Sequence, residues 1–259
     1  MRILVTNDDG IEAPGIVALA QALTQIGEVT VVAPDRQRSA SGHSITLHKP
    51  LRVHEANISA PGIRAFSTNG TPSDCVVLGA LVLIDGGPEL VVSGINPGPN
   101  LGDDVTYSGT VAAAMEGAMM GAPSFAVSIA VQPGDDRELD YGFAAGLARR
   151  LASRLVETGL PPDCFLNVNV PACAPDEITG VEVTRLGRRR WDERLVKRAD
   201  PRGRPYYWLV GEPQLDGAAA GTDVAAVLAR KVSITPAHMD LTRHQALESL
   251  RHLAEALGV

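Results

Sequence analysis

Apolar and polar positions follow a strand–helix–strand order up to about residue 175. Short, mostly apolar stretches predict strands over residues 1–6, 28–33, 89–93, 124–130 and 165–170. Longer apolar-rich or amphipathic stretches between them predict helices over residues 14–26, 75–83, 110–120 and 141–157. Strands that are apolar on both faces are typical of parallel sheets covered by helices. The pattern therefore predicts an α/β fold with a doubly wound, mostly parallel sheet.

Further elements are predicted outside this alternation. Short alternating runs indicate small strands or a hairpin insertion at residues 44–48, 51–54 and 63–67. A late strand is predicted over residues 231–235 and is expected to end at Pro236. An amphipathic helix follows over residues 241–257, with Thr242 as a candidate cap. A helix so late in the chain could pack on a partner subunit by exchange.

The segment 185–204 differs in composition from the rest of the chain. It holds nine Lys or Arg residues against three acids, includes Trp191, and is followed by the aromatic run 206–210. This pattern predicts a charged hairpin arm, which would serve as a solvated or oligomer-contacting extension, or alternatively as a polyanion-binding surface. We therefore expect a catalytic core over residues 1–180 and a C-terminal extension over residues 181–259.

Composition and charge narrow the functional classes. The chain is 45% hydrophobic with only 4% aromatic residues, which is typical of tightly packed α/β layers. Its three cysteines are widely spaced and predict neither a disulfide framework nor a zinc site. No targeting segment or membrane span is legible, so a cytoplasmic protein is expected. A net charge of -7 argues against a long nucleic acid as partner, but leaves a small anionic substrate possible.

Polar side chains follow three of the predicted strands. Asp8 and Asp9 come directly after the first strand and precede Gly10, which permits a turn. Ser39 follows the second strand, and Asn96 follows the strand at 89–93. In an open α/β sheet, ligands bind outside the carboxyl ends of the strands. These four side chains are therefore predicted to share one edge of the sheet, although a capped turn without function would also explain the first pair.

A long loop rich in Gly, Pro and Asn follows Asn96 and leads into the next helix. Ser108 or Thr110 can cap that helix, and the free backbone N–H groups near Ser108, Gly109 and Thr110 would face an anion. An ordered loop of this length is usually functional, although a plain surface loop is the alternative. The sequence carries no G-x-G-x-x-G after the first strand, so dinucleotide binding is disfavoured.

The predicted donors are two carboxylates, a hydroxyl and an amide oxygen, from Asp8, Asp9, Ser39 and Asn96. Hard oxygen ligands suit Mg²⁺ or Mn²⁺ and are poor ligands for zinc. Two carboxylates balance the charge of one divalent ion, so a phosphate dianion needs further stabilisation. The helix start at Ser108–Thr110 would supply it.

Taken together, these stretches resemble the SurE survival-protein nucleotidases. The matching motifs are, in order, N-D-D-G (7–10), S-A-S-G-H-S-I-T (39–46), N-G-T-P-S-D-C-V (69–76), S-G-I-N-x-G-x-N-x-G (93–102) with Y-S-G-T-V-A-A-A-M-E-G (107–117), and V-S-I-T-P-x-x-x-D-L-T (232–242). They run over nearly the whole chain in the family's order. One departure is Ala229-Arg230-Lys231, where the family pattern has Gly-Tyr before V-S-I-T-P.

The resemblance implies a Rossmann-like core and a divalent-metal-dependent phosphatase acting on nucleoside 5′- and 3′-monophosphates, with short polyphosphate as a possible further substrate. It implies one metal ion per subunit, held by Asp8, Asp9, Ser39 and Asn96. It places Ser108, Gly109 and Thr110 against phosphate, with Asn100 in the same pocket. It also implies a homodimer or homotetramer built through the C-terminal arm and helix.

Two mechanisms and two other functional classes stay open at the level of sequence. The expected reaction is in-line attack by a metal-activated water, with one aspartate guiding the proton. A covalent aspartyl-phosphate is the competing route, which the absence of D-x-D-x-T disfavours. The same pocket would also suit a nucleotide- or metal-binding regulatory module without turnover. A structural α/β protein with no ligand is the third possibility.

Overall fold

A mostly parallel sheet of nine strands forms the centre of the molecule. The structure is a computed structural model and describes residues 1–131, 134, 138–188, 190–192, 194–211, 213–214 and 218–258. The strands are β1 (Arg2–Thr6), β2 (Glu28–Pro34), β3 (Val53–Glu55), β4 (Arg64–Thr68), β5 (Leu90–Pro97), β6 (Ser124–Ala130), β7 (Cys164–Pro171), β8 (Gly180–Val183), β9 (Arg190–Trp191), β10 (Arg194–Ala199), β11 (Pro205–Val210), β12 (Pro213–Gln214) and β13 (Lys231–His238).

The helices are α1 (Pro14–Leu23), α2 (Pro72–Leu78), α3 (Gly109–Met119), α4 (Gly142–Thr158), α5 (Asp223–Leu228) and α6 (His244–Leu257). A π-helical turn at Gly79–Leu83 continues α2, and 3₁₀ turns occupy Gly102–Thr106 and Pro175–Glu177. The strand order in the main sheet is β3-β4-β2-β1-β5-β6-β7-β13-β8. Only the β3–β4 and β7–β13 pairs are antiparallel in that sheet, within the part of the chain described. The predicted doubly wound, mostly parallel sheet is confirmed.

The sheet is buried on both faces because its central strands are mostly apolar. In β1, Ile3 and Val5 pack with α1 and α4, whereas Leu4 packs on the opposite face against α2 and α3. All three side chains are fully buried. Successive residues of a strand point to opposite faces, so a run without polar residues needs a helical layer on each side.

Several predicted boundaries are wrong. Residues 44–48 form no strand, and α1 ends at Leu23 instead of residue 26. Pro236 does not end the late strand, because β13 continues to His238. The pairing of β13 with β8 stops at Ile234, so beyond that residue one side of β13 has no ladder partner among the described strands, and a missing N–H is tolerated there. Helix α6 begins at His244, three residues later than predicted, and Thr242 is not its cap.

The C-terminal part contributes to the sheet and also extends away from it. Strands β8 and β13 complete the main sheet, whereas β10 and β11 form a separate antiparallel hairpin whose residues are all exposed. The predicted hairpin arm is therefore present, and it continues into the aromatic run. The division of the chain at residue 180 stays a prediction. No helix among the described residues is both long and apolar enough to cross a bilayer.

Candidate metal and phosphate site

The turn after β1 is set by Asn7 and Gly10. The Asn7 side chain donates from Nδ2 to the Gly10 carbonyl oxygen at 3.0 Å and accepts from the Gly10 N–H at 3.2 Å. Gly10 has a φ of +107°, which a residue with a side chain adopts only under strain. The strand thus stops at Thr6 and the chain turns at once. Both Asp8 and Asp9 are released from strand alternation and can face one ligand.

Asp8 lies against the beginning of α3. The Thr110 hydroxyl donates to Asp8 Oδ1. Burial raises the pKa of the Asp8 carboxyl, and the hydrogen bond from Thr110 together with the backbone N–H groups of Gly109 and Thr110 opposes that rise. Asp8 is only 6% exposed, so the stability of its charged form depends on these few hydrogen-bond donors. The N-terminus of α3 therefore stabilises the ionised form of Asp8.

Ionisation of the Asp9 carboxyl is opposed both by burial and by a neighbouring negative charge. Its Oδ2 is buried and has no hydrogen-bond partner among the described residues. Burial, reinforced by the negative charge of Asp8, raises the pKa of Asp9 to about 7. The same Asp9 charge adds to burial in raising the pKa of Tyr141. A buried carboxylate next to a half-buried one, whose Oδ2 has no hydrogen-bond partner among the described residues, is an arrangement that a divalent cation would neutralise.

The loop after β2 is tied to both Asp8 and α3. The Arg38 N–H donates to the Asp8 carbonyl oxygen at 2.7 Å, and the Gly42 N–H donates to the Tyr107 carbonyl oxygen at 3.0 Å. Ser39 therefore follows a residue bonded to Asp8. Its side chain is exposed, and its Oγ accepts from Gln37 Nε2 at 2.8 Å. Metal ligation by Ser39 stays a prediction.

Asn96 is the next-to-last residue of β5, so the prediction that it follows this strand is wrong. The pairing of β5 with β1 ends at Ser93 and Thr6, after which the chain beyond β1 turns and β5 continues to Pro97. The half-buried Asn96 donates from Nδ2 to the Gly98 carbonyl oxygen at 2.7 Å. That bond turns the amide oxygen to the opposite side, which leaves a hard oxygen donor of the kind predicted.

The phosphate-contacting residues predicted from sequence divide into two groups. Ser108 caps α3 by accepting the Val111 N–H at 3.0 Å, and Gly109 and Thr110 form the first turn beside Asp8. Asn100 instead lies in a buried amide network, where its Nδ2 donates to Ser128 Oγ at 2.7 Å. Its backbone oxygen accepts from Asn167 and Asn169. A direct contact of Asn100 with substrate stays a prediction.

These donors fit a hard divalent cation better than zinc. No cluster of three or more His, Cys, Asp and Glu side chains able to hold a metal ion occurs within the described ranges. Any ion at this edge would therefore rely on the two carboxylates together with amide and hydroxyl oxygens, as Mg²⁺ and Mn²⁺ accept. The unpartnered Asp9 Oδ2 is the observation that supports the fit. Because both carboxyl pKa values are raised, protons compete with the cation, and affinity should increase with pH.

Substituting Thr110 with valine is expected to weaken divalent-ion binding about tenfold, because ligand-orienting hydrogen bonds are typically worth ten- to a hundredfold in metal affinity. Valine keeps the volume but removes the hydroxyl that donates to Asp8. Calorimetric titration with Mn²⁺ at several pH values would measure the effect. Thr30→Val, at a buried threonine on β2, is the matched control. Equal affinities in the two variants would contradict the role of Thr110.

Sequence reasoning missed two side chains next to the aspartates. Ser41 Oγ is buried without a partner among the described residues and lies 2.9 Å from where a Cβ on Gly109 would be. The S-A-S-G motif offers two serines, and the pattern alone did not say which faces inward. The ring of Tyr141 lies 3.1 Å from the corresponding position on Gly15 and its pKa responds to Asp9. Tyr141 had been assigned only to the start of a helix.

The comparisons with known proteins agree with one another. A family model described as "Survival protein SurE" matches residues 3–193. A protein of Moorella thermoacetica named 5′-nucleotidase SurE is 51% identical over 250 residues, covering 96% of this chain and 95% of the relative. One of the same name from Chloroflexus aggregans is 52% identical over 251 residues, covering 97% and 98%.

A solved structure is similar over the same extent. The crystal structure of the SurE protein from Aquifex aeolicus aligns with a TM-score of 0.84 at 42% identity. The alignment covers 98% of this chain and all of the other. The similarity therefore includes the C-terminal extension as well as the parallel core.

Proposed function

This chain belongs to the SurE survival-protein family, and from that premise we propose that it hydrolyses phosphate monoesters, chiefly nucleoside 5′- and 3′-monophosphates, to nucleoside and inorganic phosphate. The name 5′-nucleotidase carried by its relatives supports the 5′ position. The observation that carries the proposal in this chain is Asp9 Oδ2, which is buried without a partner among the described residues and follows Asp8, the carboxylate held at the N-terminus of α3. Short polyphosphate is proposed as a secondary substrate.

We propose one Mg²⁺ or Mn²⁺ ion per subunit, held by Asp8, Asp9, Ser39 and Asn96. When bound, such an ion polarises a phosphoryl oxygen and makes a coordinated water more acidic. Asp8 is kept ionised by Thr110 and by the backbone of α3, so it is the constant source of negative charge. Asp9 Oδ2 accepts a hydrogen bond from the attacking water and orients it. The N–H groups at Ser108–Thr110 are proposed to bind the phosphate oxygens, and those of Gly109 and Thr110 would be shared between the phosphate and Asp8.

The proposed reaction transfers the phosphoryl group directly to water. Both aspartates then remain ligands throughout, which leaves neither free to form an aspartyl-phosphate. Hydrolysis in ¹⁸O-labelled water should place one solvent oxygen in each phosphate in a single turnover without a trapped phosphoenzyme. A trapped aspartyl-phosphate would contradict the direct route.

Phosphate release from a panel of 5′- and 3′-nucleoside monophosphates and short polyphosphate tests the activity itself. We expect turnover with Mg²⁺ or Mn²⁺ and its loss with EDTA, restored by adding the metal back. Saturable binding of metal and nucleotide without phosphate release would instead indicate a regulatory module. No saturable metal binding would contradict both the activity and the site.

We also propose that the protein forms a homodimer or homotetramer through the arm and α6. Helix α6 exposes about half of each of Leu247, Leu250 and Leu253, which recur on one face of the helix. The arm exposes a further group of large apolar side chains, namely Leu195, Tyr207, Trp208 and Leu209. Exposed apolar surface of this extent is typical of subunit interfaces. The departure from the family pattern at Ala229-Arg230-Lys231 runs from the C-cap of α5 to the first residue of β13.

A further inference from the structure

One buried carboxylate, that of Asp223, joins two segments that are far apart in the sequence. Its Oδ2 accepts the Gly102 N–H at 2.8 Å, and its Oδ1 accepts the Gly187 N–H at 2.7 Å. Oδ1 also accepts the N–H of Val224, the next residue in α5, at 2.8 Å. Asp223 is completely buried. A buried carboxylate is tolerated only when its oxygens are bonded in this way, so its geometry is tightly determined.

The first of these segments is the loop between β5 and α3, residues 98–108. Asn96 precedes this loop and Ser108 ends it, so the loop connects the proposed metal ligand to the proposed phosphate site. Asp223 reaches it at Gly102, where the 3₁₀ turn begins and φ is +54°. The other end of the turn is tied to the loop after β2, which contains Ser39 and Ser41, because the Tyr107 carbonyl oxygen accepts the Gly42 N–H. A shift of the backbone at Gly102 would therefore be transmitted to both Asn96, the proposed metal ligand, and Ser108, at the proposed phosphate site.

Apolar packing beside this hydrogen bond holds the loop on α5. Leu101 is buried in a small cluster with Val224 and Val227 of α5 and Ala130 at the end of β6. On the other side the Asn100 N–H donates to Asn169 Oδ1 at 2.9 Å. The loop is thus pinned at consecutive residues, to β7 through Asn100 and to α5 through Leu101 and Gly102. The Gly102 bond depends on a single, completely buried side chain of the C-terminal segment.

The second segment is the base of the arm. A Cβ on Gly187 would lie 3.1 Å from Asp223 Oδ1 and 3.2 Å from Thr222 Cβ, so this backbone approaches α5 very closely. Arg185 strengthens the junction, because its carbonyl oxygen accepts the Asp223 N–H at 3.0 Å. Near the surface, Arg188 Nη1 forms an ion pair with Asp103 Oδ1 at 3.2 Å. The base of the arm and the loop 98–108 therefore both bond to the carboxylate of Asp223.

We propose that Asp223 is a positioning residue, which sets the loop 98–108 against the base of the arm and so places Asn96 and the start of α3 relative to Asp8 and Asp9. Asp223 contacts none of the proposed ligands and acts through Gly102. This inference rests on the proposed function for its effect on turnover, but the effect on the loop itself does not depend on it.

Asp223→Asn tests the proposal with little change in volume. An amide has one acceptor oxygen, so its NH₂ group would face the N–H of either Gly102 or Gly187. Amide hydrogen exchange in residues 102–107 is expected to become at least about tenfold faster. The reason is that local opening of this segment no longer requires breaking the charge-assisted hydrogen bond from Gly102 to a carboxylate. The value of kcat/KM for a nucleoside monophosphate should fall at least about tenfold, with kcat affected more than KM, since misplacement chiefly disrupts the transition state.

Thr184→Val is the matched control in the same region. Its buried hydroxyl bonds Ser233 and Thr235 of β13, so the substitution costs stability without touching the loop. We expect it to leave exchange in residues 102–107 and the kcat/KM ratio unchanged. Gly187→Ala, which displaces Asp223 from the arm side by a few tenths of an ångström, should give a smaller exchange increase in the same segment and serves if Asp223→Asn does not fold.

The possible outcomes distinguish the positioning role of Asp223 from the proposed hydrolytic activity. Unchanged loop exchange in Asp223→Asn and Gly187→Ala, or an equal change in Thr184→Val, would overturn the positioning role. Accelerated loop exchange in a protein that releases no phosphate from any substrate would contradict the proposed function while supporting the role of Asp223 in the loop.

Discussion

Asp9→Asn is expected to reduce phosphate release at least about a hundredfold, since it removes a metal ligand and orienting group whose loss exceeds that of a supporting hydrogen bond. The metal-free variant should nevertheless melt at a higher temperature than the parent protein at neutral pH. An inactive variant that is also more stable would identify Asp9 as a functional residue, because a carboxylate serving only the fold should cost stability when it is removed.

The stability gain follows from the raised pKa of Asp9. The carboxyl has an ordinary pKa of 3.8 in an open chain and about 7 in the folded, metal-free protein. Between these values the folded protein holds a proton that the unfolded chain has released, so the free energy of unfolding decreases as pH rises through this range. Asparagine cannot ionise and removes that decrease. Calorimetric melting in EDTA at pH 5 and pH 8 should show a larger difference between variant and parent at pH 8.

Asp85→Asn is the control for this experiment. Asp85 is exposed and lies just before β5, at the opposite edge of the sheet from Asp9. The substitution should change neither turnover nor the pH dependence of melting. Turnover in Asp9→Asn within a few-fold of the parent protein would show that the site has been placed wrongly.

Gly109→Ala is expected to lower kcat/KM by about a hundredfold, the size of effect that a misplacement of about 1 Å can produce. A Cβ on Gly109 would lie 2.8 Å from Asp8 Cβ, 2.9 Å from Ser41 Oγ and 3.0 Å from Asp8 Oδ2. Real Cβ atoms do not approach so closely, so Asp8 must move away from α3 or α3 must shift. Either movement separates the carboxylate from the backbone N–H groups and from the Thr110 hydroxyl.

Steady-state kinetics and Mn²⁺ titration would measure this effect, and circular dichroism would confirm that the fold persists. Gly146→Ala in α4 is the matched control, because a Cβ there would meet only Arg150 Nη1, at 3.7 Å. Alanine in a helix interior should stabilise that variant by about 1 kcal/mol. If Gly109→Ala keeps full activity and metal affinity, the close packing of α3 on Asp8 is not needed for the reaction.

The sequence predicted the central layers well because their physical signals are local. Strands such as β6 are apolar at nearly every position and are bounded by Gly or Pro, and β6 has the predicted bounds Ser124–Ala130. The start of α3 was also legible, since Ser108 is a strong capping residue and does cap the helix. Short elements such as β8 and α5 were missed, because four to six residues carry too little periodicity to register.

Part of the candidate site could also be predicted from the sequence, because its signals are local. Asp8 and Asp9 come just after β1, Asn96 lies at the carboxyl end of β5, and these two strands are neighbours in the sheet. The rule that ligands bind at the carboxyl edge of a parallel sheet therefore predicts that the three residues share one site. Within the loop after β2 no periodicity exists, so the sequence could not distinguish the exposed Ser39 from Ser41, whose Oγ is buried.

The sequence by itself determined the layered parallel core, the turn at Asn7–Gly10 with its two carboxylates, and the helix start at Ser108–Thr110, because each depends on neighbouring residues. Only the tertiary structure showed that Thr110 and the α3 backbone support Asp8, that Asp9 Oδ2 is buried without a partner among the described residues, and that Asp223 reaches Gly102 from a segment 121 positions away. These relations depend on which distant segments pack together, and burial and through-space charge have no signature in the local pattern of residues.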